Sequence, residues 1–402
     1  MGQLLSHPLV EKTIEYNQFW QEAKPKEVRG IHRPHFSGRS ESFNSNKSNQ
    51  GERRSLQFFN CVGSMQGYRL TQEDAHLVAN GESSLRVHFF DPFRDRRVEL
   101  SLSIFGIFDG HGGDECSKFV SGQRNGDEGI RRWIAFSFEN HKYGSKHNSN
   151  NRNSVRLFDT IDGLISQILK DAFIHQDNEL YSHLGKLSCG TTAVLAVIID
   201  GKSLYVANAG DSRCILATKG KGVKTLSFDH KPQHIGELVR INDDGGTVSL
   251  GRVGGVLALS RAFGDFQFKS GVPFTRRSQK NTSKFTTPPQ ESQVTAEPDV
   301  VPHTLDFDKD EFLVLACDGI WDVYSNKNLL QFVKFHLTLG LKFNEIVTKL
   351  LDHGIGSADS NTGVGFDNMT LIIVALNKPD ESLAQWYAKM KLRLERAKGI
   401  TT

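Results

Sequence analysis

Carboxylates stand at the ends of apolar, strand-like runs, and this placement constrains the chain more than any other feature of it. Phe108-Asp109-Gly110-His111-Gly112-Gly113 follows directly on Leu100–Phe108, which begins with the period-two alternation of a half-buried strand. Cys317-Asp318-Gly319 closes the apolar run Glu311–Cys317, and Gly365-Phe366-Asp367-Asn368 leads into Thr370–Ala375. Glu73-Asp74 makes a fourth cluster. A charged carboxylate at the end of a buried strand is costly to hold unless a cation or a donor neutralises it. Several of them, drawn from distant parts of one chain, invite a shared cation. The candidate ligands are oxygens with no Cys/His set, which favours Mg²⁺ or Mn²⁺ over zinc. The glycine after Asp109 leaves no Cβ between a backbone carbonyl and a metal. Each Asp-Gly taken alone is a common turn, so the argument rests on the set.

The remaining pattern predicts an α+β fold, layered, with mostly antiparallel sheet. Ala193–Ile199 and Leu204–Ala209 flank Asp200-Gly201-Lys202-Ser203, which reads as a hairpin turn. Ile161, Leu164, Ile165, Ile168, Leu169, Ala172 and Phe173 recur at three and four residues and predict an amphipathic helix. Further helices are predicted over His234–Ile241, Leu329–Leu339 and Leu383–Ala397. Strands are expected from about Phe58 onward. Residues 1–55 read as a polar N-terminal segment, in which Ser37–Gln50 carries too little apolar surface to order itself. The main domain is expected over 56–378, with polar insertions near 121–158 and 270–292, followed by a helical extension over 379–402.

Several function classes are excluded. The 402 residues are 38% hydrophobic and 24% charged, and Lys+Arg 49 against Asp+Glu 46 leaves no overall field to recruit nucleic acid. The five cysteines are odd in number and lack a CxxC pair, which argues against a disulfide framework or zinc site and for a reducing, cytoplasmic setting. No cysteine has Arg six positions on, as a cysteine phosphatase would need. Gly201-Lys202-Ser203 ends like a P-loop, but Ala196 stands where its opening glycine is required. No run is long enough to span a membrane. The start Met1-Gly2-Gln3-Leu4-Leu5-Ser6 fits a myristoylation signal on Gly2, and an unacylated Met-Gly start fits equally well. One such chain gives at most weak membrane association.

Eight segments stand in a telling order: Ser64–His76, Phe108–Gly113, Ser188–Ala193, Ala209–Arg213, Asp229–Pro232, Leu259–Asp265, Cys317–Asp322 and Phe366–Asn368. Together they resemble the motif series of type 2C protein phosphatases, the metal-dependent PPM class, and the whole chain resembles a fungal cytoplasmic member. That resemblance implies a layered sandwich of two antiparallel β-sheets flanked by helix pairs, with two Mg²⁺ or Mn²⁺ ions at one edge. Asp109 would bridge both metals, Glu73 and the Gly110 carbonyl would complete one site, and Asp318 and Asp367 the other. Asp74 would hold metal-associated waters, and Asp211 with Asp322 would form a weaker third-metal site. Arg69 would grip the substrate phosphate, as a guanidinium fork suits, and His111 would act as general acid toward the leaving seryl or threonyl oxygen.

The implied activity is hydrolysis of phosphoserine and phosphothreonine in phosphoproteins by a two-metal-activated water, and the expected state is a monomer. A metal-dependent phosphomonoesterase acting on a small molecule is the near alternative. A catalytically silent binding protein of the same fold is the distant one, and it should have lost carboxylates that are all present here. The chain departs from the family at Phe366, where a small residue is usual. In the resembled family Ser270–Gln290 corresponds to a flap beside the metal edge. Its Arg276, Arg277, Lys280 and Lys284, with no acidic residue among them, would attract acidic phosphopeptides, although the same composition suits a plain solvated loop.

Overall fold

The computed structural model describes residues 4–16, 57–124, 128–148, 153–220, 222–269 and 288–397. Two six-stranded antiparallel sheets face one another. The first runs in the order Leu4–Tyr16, Asn60–Arg69, Met369–Ala375, Asp310–Ala316, Arg213–Thr218, Val223–Thr225. The second runs Asp299–Thr304, Ser203–Ala209, Ala193–Ile199, Arg96–Phe108, Ala75–Ala79, with Leu85–Asp91 also paired to the outer half of the long Arg96–Phe108 strand. Asp200 and Gly201 both take positive φ, and Lys202 N–H donates to the Ile199 carbonyl at 3.0 Å, which makes the expected tight hairpin.

Why the central strands read as unbroken apolar runs is clear from their two faces. Val194, Ala196 and Ile198 enter the core between the sheets, while Ala193, Leu195, Val197 and Ile199 enter a second core under the helices. A strand covered on both faces has no polar side to alternate with. Helices Ile161–Leu184 and Ile130–Asn140 cover the second sheet, and Asn326–Thr338, Phe343–Gly356 and Leu383–Ala397 cover the first. Thr160 and Ser325 cap two of them, each accepting a backbone N–H through its hydroxyl.

Two boundary expectations are corrected. Strands begin at Leu4 rather than near Phe58: Leu4–Tyr16 pairs antiparallel with Asn60–Arg69, with Tyr16 opposite Cys61 and Thr13 opposite Ser64. It is an edge strand, mostly exposed, with register shifts around Leu9, and it carries Pro8, which an edge tolerates because no neighbour needs its missing N–H. Ile14 and Tyr16 anchor it to the core, and the Tyr16 hydroxyl meets that of Tyr387 at 3.1 Å. Within the supposed insertion near 121–158, Ile130–Asn140 is a helix that buries Ile130, Ile134 and Phe138. The expected C-terminal helix Leu383–Ala397 is present, and it packs into the core, since Trp386 and Met390 are fully buried. Ser37–Gln50 lies outside the described residues, as does Ser270–Gln290 apart from Pro288, Pro289 and Gln290, and so do Gly2, Arg276, Arg277, Lys280 and Lys284.

Candidate active site

Both sheets deliver acidic residues to one edge of the sandwich. Asp109 is the first residue beyond Arg96–Phe108, and its backbone is clamped by two threonines. Thr192 N–H donates to the Asp109 carbonyl at 2.9 Å, the Thr192 hydroxyl accepts from Asp109 N–H at 3.2 Å, and the Thr191 hydroxyl donates to the same carbonyl at 3.0 Å. From the facing sheet, Asp318 comes one residue after the Asp310–Ala316 strand and Cys317, and begins the one-turn helix Asp318–Trp321. Asp367 and Asn368 directly precede Met369–Ala375, and Glu73 and Asp74 directly precede Ala75–Ala79.

Asn368 ties these segments together. Its amide donates to the Gln66 carbonyl at 2.8 Å and the Thr71 carbonyl at 3.0 Å, and its side-chain oxygen accepts from Glu73 N–H at 2.9 Å. Its own N–H donates to the Asp367 carboxylate at 2.8 Å. Phe366, the departure from the family pattern, packs its ring on Tyr68 with centroids 4.6 Å apart, so the larger side chain closes against the strand that carries Arg69.

The cluster is electrostatically unbalanced. Burial, then the charges of Asp318, Asp74, Asp367 and Asp211, push the Asp109 carboxyl well above the ordinary range. Asp318 is pushed well up by burial and by Asp211, Asp367 and Asp322. Asp74, 8% exposed, is raised to about 7, chiefly by burial, and one of its carboxylate oxygens has no hydrogen-bond partner. Asp322 is raised by burial as well. Like charges gathered in a low-dielectric edge resist ionisation until something positive joins them. Among the described residues, Arg69 is ion-paired to Asp367 and Lys231 to Asp211. Ligand atoms of Asp74, Asp109 and Cys317 lie within 4.8 Å of one another. Burial drives the Cys317 thiol far up, which leaves carboxylate oxygens as the charged donors. An acidic set with an orphaned oxygen fits hard divalent cations.

Each expected residue can now be located. Asp109, Asp318, Asp367, Asp74, Asp211 and Asp322 share one electrostatic neighbourhood. Gly110 and His111 form a two-residue strand beside Asp109. The Glu73 carboxylate accepts from the Thr71 hydroxyl at 3.0 Å, while its carbonyl accepts from the Ser117 hydroxyl. Arg69 stands at the cluster rim, engaged with Asp367 rather than open. The Arg213 fork takes Asp229 at 2.7 and 2.8 Å, and Lys231 takes Asp211. His111 Nε2 lies 2.7 Å from the Asp265 carboxylate. Burial alone would lower the His111 pKa, but the charge and hydrogen bond of Asp265 overcome it and hold the ring above its usual value.

Sequence reasoning missed four participants: Cys317 as a neighbour of the carboxylates, Lys231 as the partner of Asp211, the bridging amide of Asn368, and Asp265 behind His111. All four lie inside quoted motifs, yet nothing in residue type or spacing announces these pairings.

A carboxylate cluster at the edge of a two-sheet sandwich, with a guanidinium and an imidazole beside it, suits metal-dependent hydrolysis of phosphate esters. Comparison with known proteins agrees. The family profile described as protein phosphatase 2C matches residues 61–363. Protein phosphatase 2C homolog 4 of Saccharomyces cerevisiae is 58% identical over 419 aligned residues, covering 100% of both chains. Protein phosphatase 2C homolog 2 of Schizosaccharomyces pombe is 36% identical, covering 88% of this chain and 81% of its own. Among solved structures, serine-threonine phosphatase 2C from Toxoplasma gondii shares the fold, with a TM-score of 0.54 at 20% identity over 79% of this chain and 95% of that one. A second phosphatase structure from that organism gives 0.56 at 21% identity, over 80% and 93%. The chain belongs to the protein phosphatase 2C family: it is a metal-dependent protein serine/threonine phosphatase.

Proposed function

We propose that the enzyme binds two divalent cations, Mg²⁺ or Mn²⁺, and that Asp109 serves both. Glu73 and the Gly110 carbonyl would complete one coordination sphere and Asp318 with Asp367 the other, and Asp74 would hold ordered water through its unpartnered oxygen. The carrying observation is the convergence of buried and half-buried carboxylates whose repulsion Arg69 and Lys231 answer only in part. Asp211 and Asp322 offer a further, weaker acidic site, part of whose charge Lys231 already answers. The bound cations would supply Lewis-acid charge for the phosphoryl oxygens and acidify the attacking water.

The chain's own groups do the rest. Arg69 exchanges its contact with Asp367 for the phosphate of a phosphoserine or phosphothreonine, a bidentate acceptor that matches its fork. His111, at the rim and partly exposed, donates a proton to the leaving alkoxide, which cannot depart readily without one. A cytoplasmic location suits five buried free thiols, and no helix among the described residues is long and apolar enough to cross a membrane.

Phosphate binding by Arg69 is tested by Arg69→Ala in steady-state kinetics. KM for a phosphothreonyl peptide should rise on the order of ten-fold while kcat changes little. A fall in kcat at constant KM would remove Arg69 from ground-state binding. His111→Ala should slow the phosphothreonyl peptide on the order of a hundred-fold and spare an aryl phosphate whose leaving group needs no proton.

A further inference from the structure

Three two-residue strands, Gly110–His111, Gly190–Thr191 and Phe263–Gly264, form a small antiparallel ribbon beside the metal edge, with Gly190–Thr191 in the middle. His111 lies opposite Gly190 on one side, and Gly264 lies opposite Gly190 on the other. The ribbon therefore sets Asp265, the next residue, against His111 across the bare Cα of Gly190. A Cβ at position 190 would overlap both the Asp265 carboxylate and His111 Nε2, so the glycine leaves the gap in which the two side chains meet.

Asp265 is committed to that gap. It is 1% exposed, and its carboxylate makes no capping bond to the short helix Phe266–Phe268 that it precedes. Its backbone is held in the left-handed region, at φ 50, by its N–H donating to the Cys189 carbonyl at 3.0 Å and its carbonyl accepting from Phe268 N–H at 2.9 Å. The preceding residue is fixed too, because Gly264 N–H donates to Asp177 at 2.9 Å, and Asp177 is ion-paired at 2.7 Å with the buried Lys269. A buried carboxylate on an over-determined backbone, 2.7 Å from an imidazole nitrogen, matches the arrangement that fixes ring orientation and tautomer in other acid–base pairs. Among the described residues, Nδ1 of His111 has no hydrogen-bond partner.

We infer that Asp265 is the positioning residue of the proton donor: its carboxylate accepts from His111 Nε2, so that Nδ1 is the nitrogen presented to the leaving oxygen. This rests on the reading of His111 as general acid. As the bond between phosphorus and the seryl or threonyl oxygen breaks, the Nδ1 proton passes to that oxygen. The attacking water supplies the new oxygen on phosphate, and the ring is left neutral with its Nε2–H still on Asp265.

The test is Asp265→Asn, which keeps the size of the side chain and suits left-handed backbone. An amide can donate as well as accept, so it no longer dictates which nitrogen of His111 carries the proton. On a phosphothreonyl peptide with Mn²⁺ present, kcat should fall on the order of ten-fold or more with KM unchanged, and an activated aryl phosphate should change by less than about three-fold. His111→Ala/Asp265→Asn should be no slower than His111→Ala, because a group that acts through His111 has nothing left to act on. In ¹⁵N-histidine spectra of the protein without metal or substrate, the neutral His111 ring should carry its proton on Nε2 in the wild type and shift toward Nδ1 in Asp265→Asn. Equal losses on both substrates, additive losses in the double variant, or an unchanged tautomer would each overturn the role of Asp265. If His111→Ala itself slows both substrates alike, the general-acid reading is what has failed, and the role of Asp265 falls with it.

Discussion

Asp109→Asn is expected to abolish turnover while making the metal-free protein more stable. Asp109 sits where the charges of Asp318, Asp74, Asp367 and Asp211 converge, and together with burial they hold its carboxyl far above the ordinary range. For a carboxyl raised in the folded state, the native protein binds more protons than the unfolded chain between the two pKa values. Stability is therefore full below about pH 4, the unfolded value, and is lost as pH rises through the folded value. For Asp74 that window runs from about 4 to about 7. Metal-free wild-type protein should thus melt at a lower temperature at pH 7 than at pH 5. Asp109→Asn stays neutral in both the folded and the unfolded state and so escapes that loss, which should raise the pH 7 Tm by a few degrees. In the proposed two-cation site the same change would take away the shared ligand, so kcat/KM with saturating Mn²⁺ should fall on the order of a thousand-fold. Thermal melts in EDTA check the first half, and steady-state kinetics in Mn²⁺ check the second. A lower metal-free Tm in the variant would mean that Asp109 is a structural residue rather than a repelled ligand.

Gly319→Ala should do damage by a different route. Gly319 is the second residue of the helix Asp318–Trp321, and a Cβ there would overlap the Asn368 carbonyl oxygen, with the Asn368 carbonyl carbon at 3.1 Å and Asp367 Cβ at 3.3 Å. Backbone atoms have no rotamer to retreat to, so Asn368 itself must move. Its side chain holds Gln66, Thr71 and Glu73, and its carbonyl accepts from the Cys317 thiol. The displacement therefore spreads to the segments that carry Glu73, Asp318 and Asp367. Overpacking of this kind costs about 1–3 kcal/mol, or a Tm lower by several degrees in a protein of this size. The Mn²⁺ concentration needed for half-maximal activity should rise on the order of ten-fold. A variant with wild-type Tm and wild-type metal dependence would show that the helix and the Asp367-Asn368 turn can separate freely.

The sequence revealed the acidic cluster more readily than the frame that orders it. Asp109, Asp318 and Asp367 were legible because each flanks a run such as Asp310–Ala316 or Met369–Ala375 that is buried on both faces, where a lone carboxylate is anomalous. The Ala193–Ile199 and Ser203–Ala209 hairpin was legible because Asp200-Gly201 specifies its turn. Leu4–Tyr16 escaped notice because an edge strand buries little, and this one has an interrupted register. Ile130–Asn140 carried a signal that was passed over, with Ile130, Ile134 and Phe138 four residues apart on one face. The pairing of His111 with Asp265 spans 154 residues and depends on three two-residue strands. Strands that short have no periodicity to detect. Lys231 escaped for a related reason, since a lysine in a turn motif gives no sign that it answers Asp211 across a loop.

Metal-dependent hydrolysis of phosphoprotein is the central claim, and phosphate release from a phosphothreonyl peptide by the wild-type protein tests it most directly. After exhaustive chelation release should fall to background. Mg²⁺ or Mn²⁺ should restore it without any need for Zn²⁺, and small phosphorylated metabolites should be poorer substrates than the peptide. Full turnover of the peptide by protein stripped of divalent cations would contradict the account.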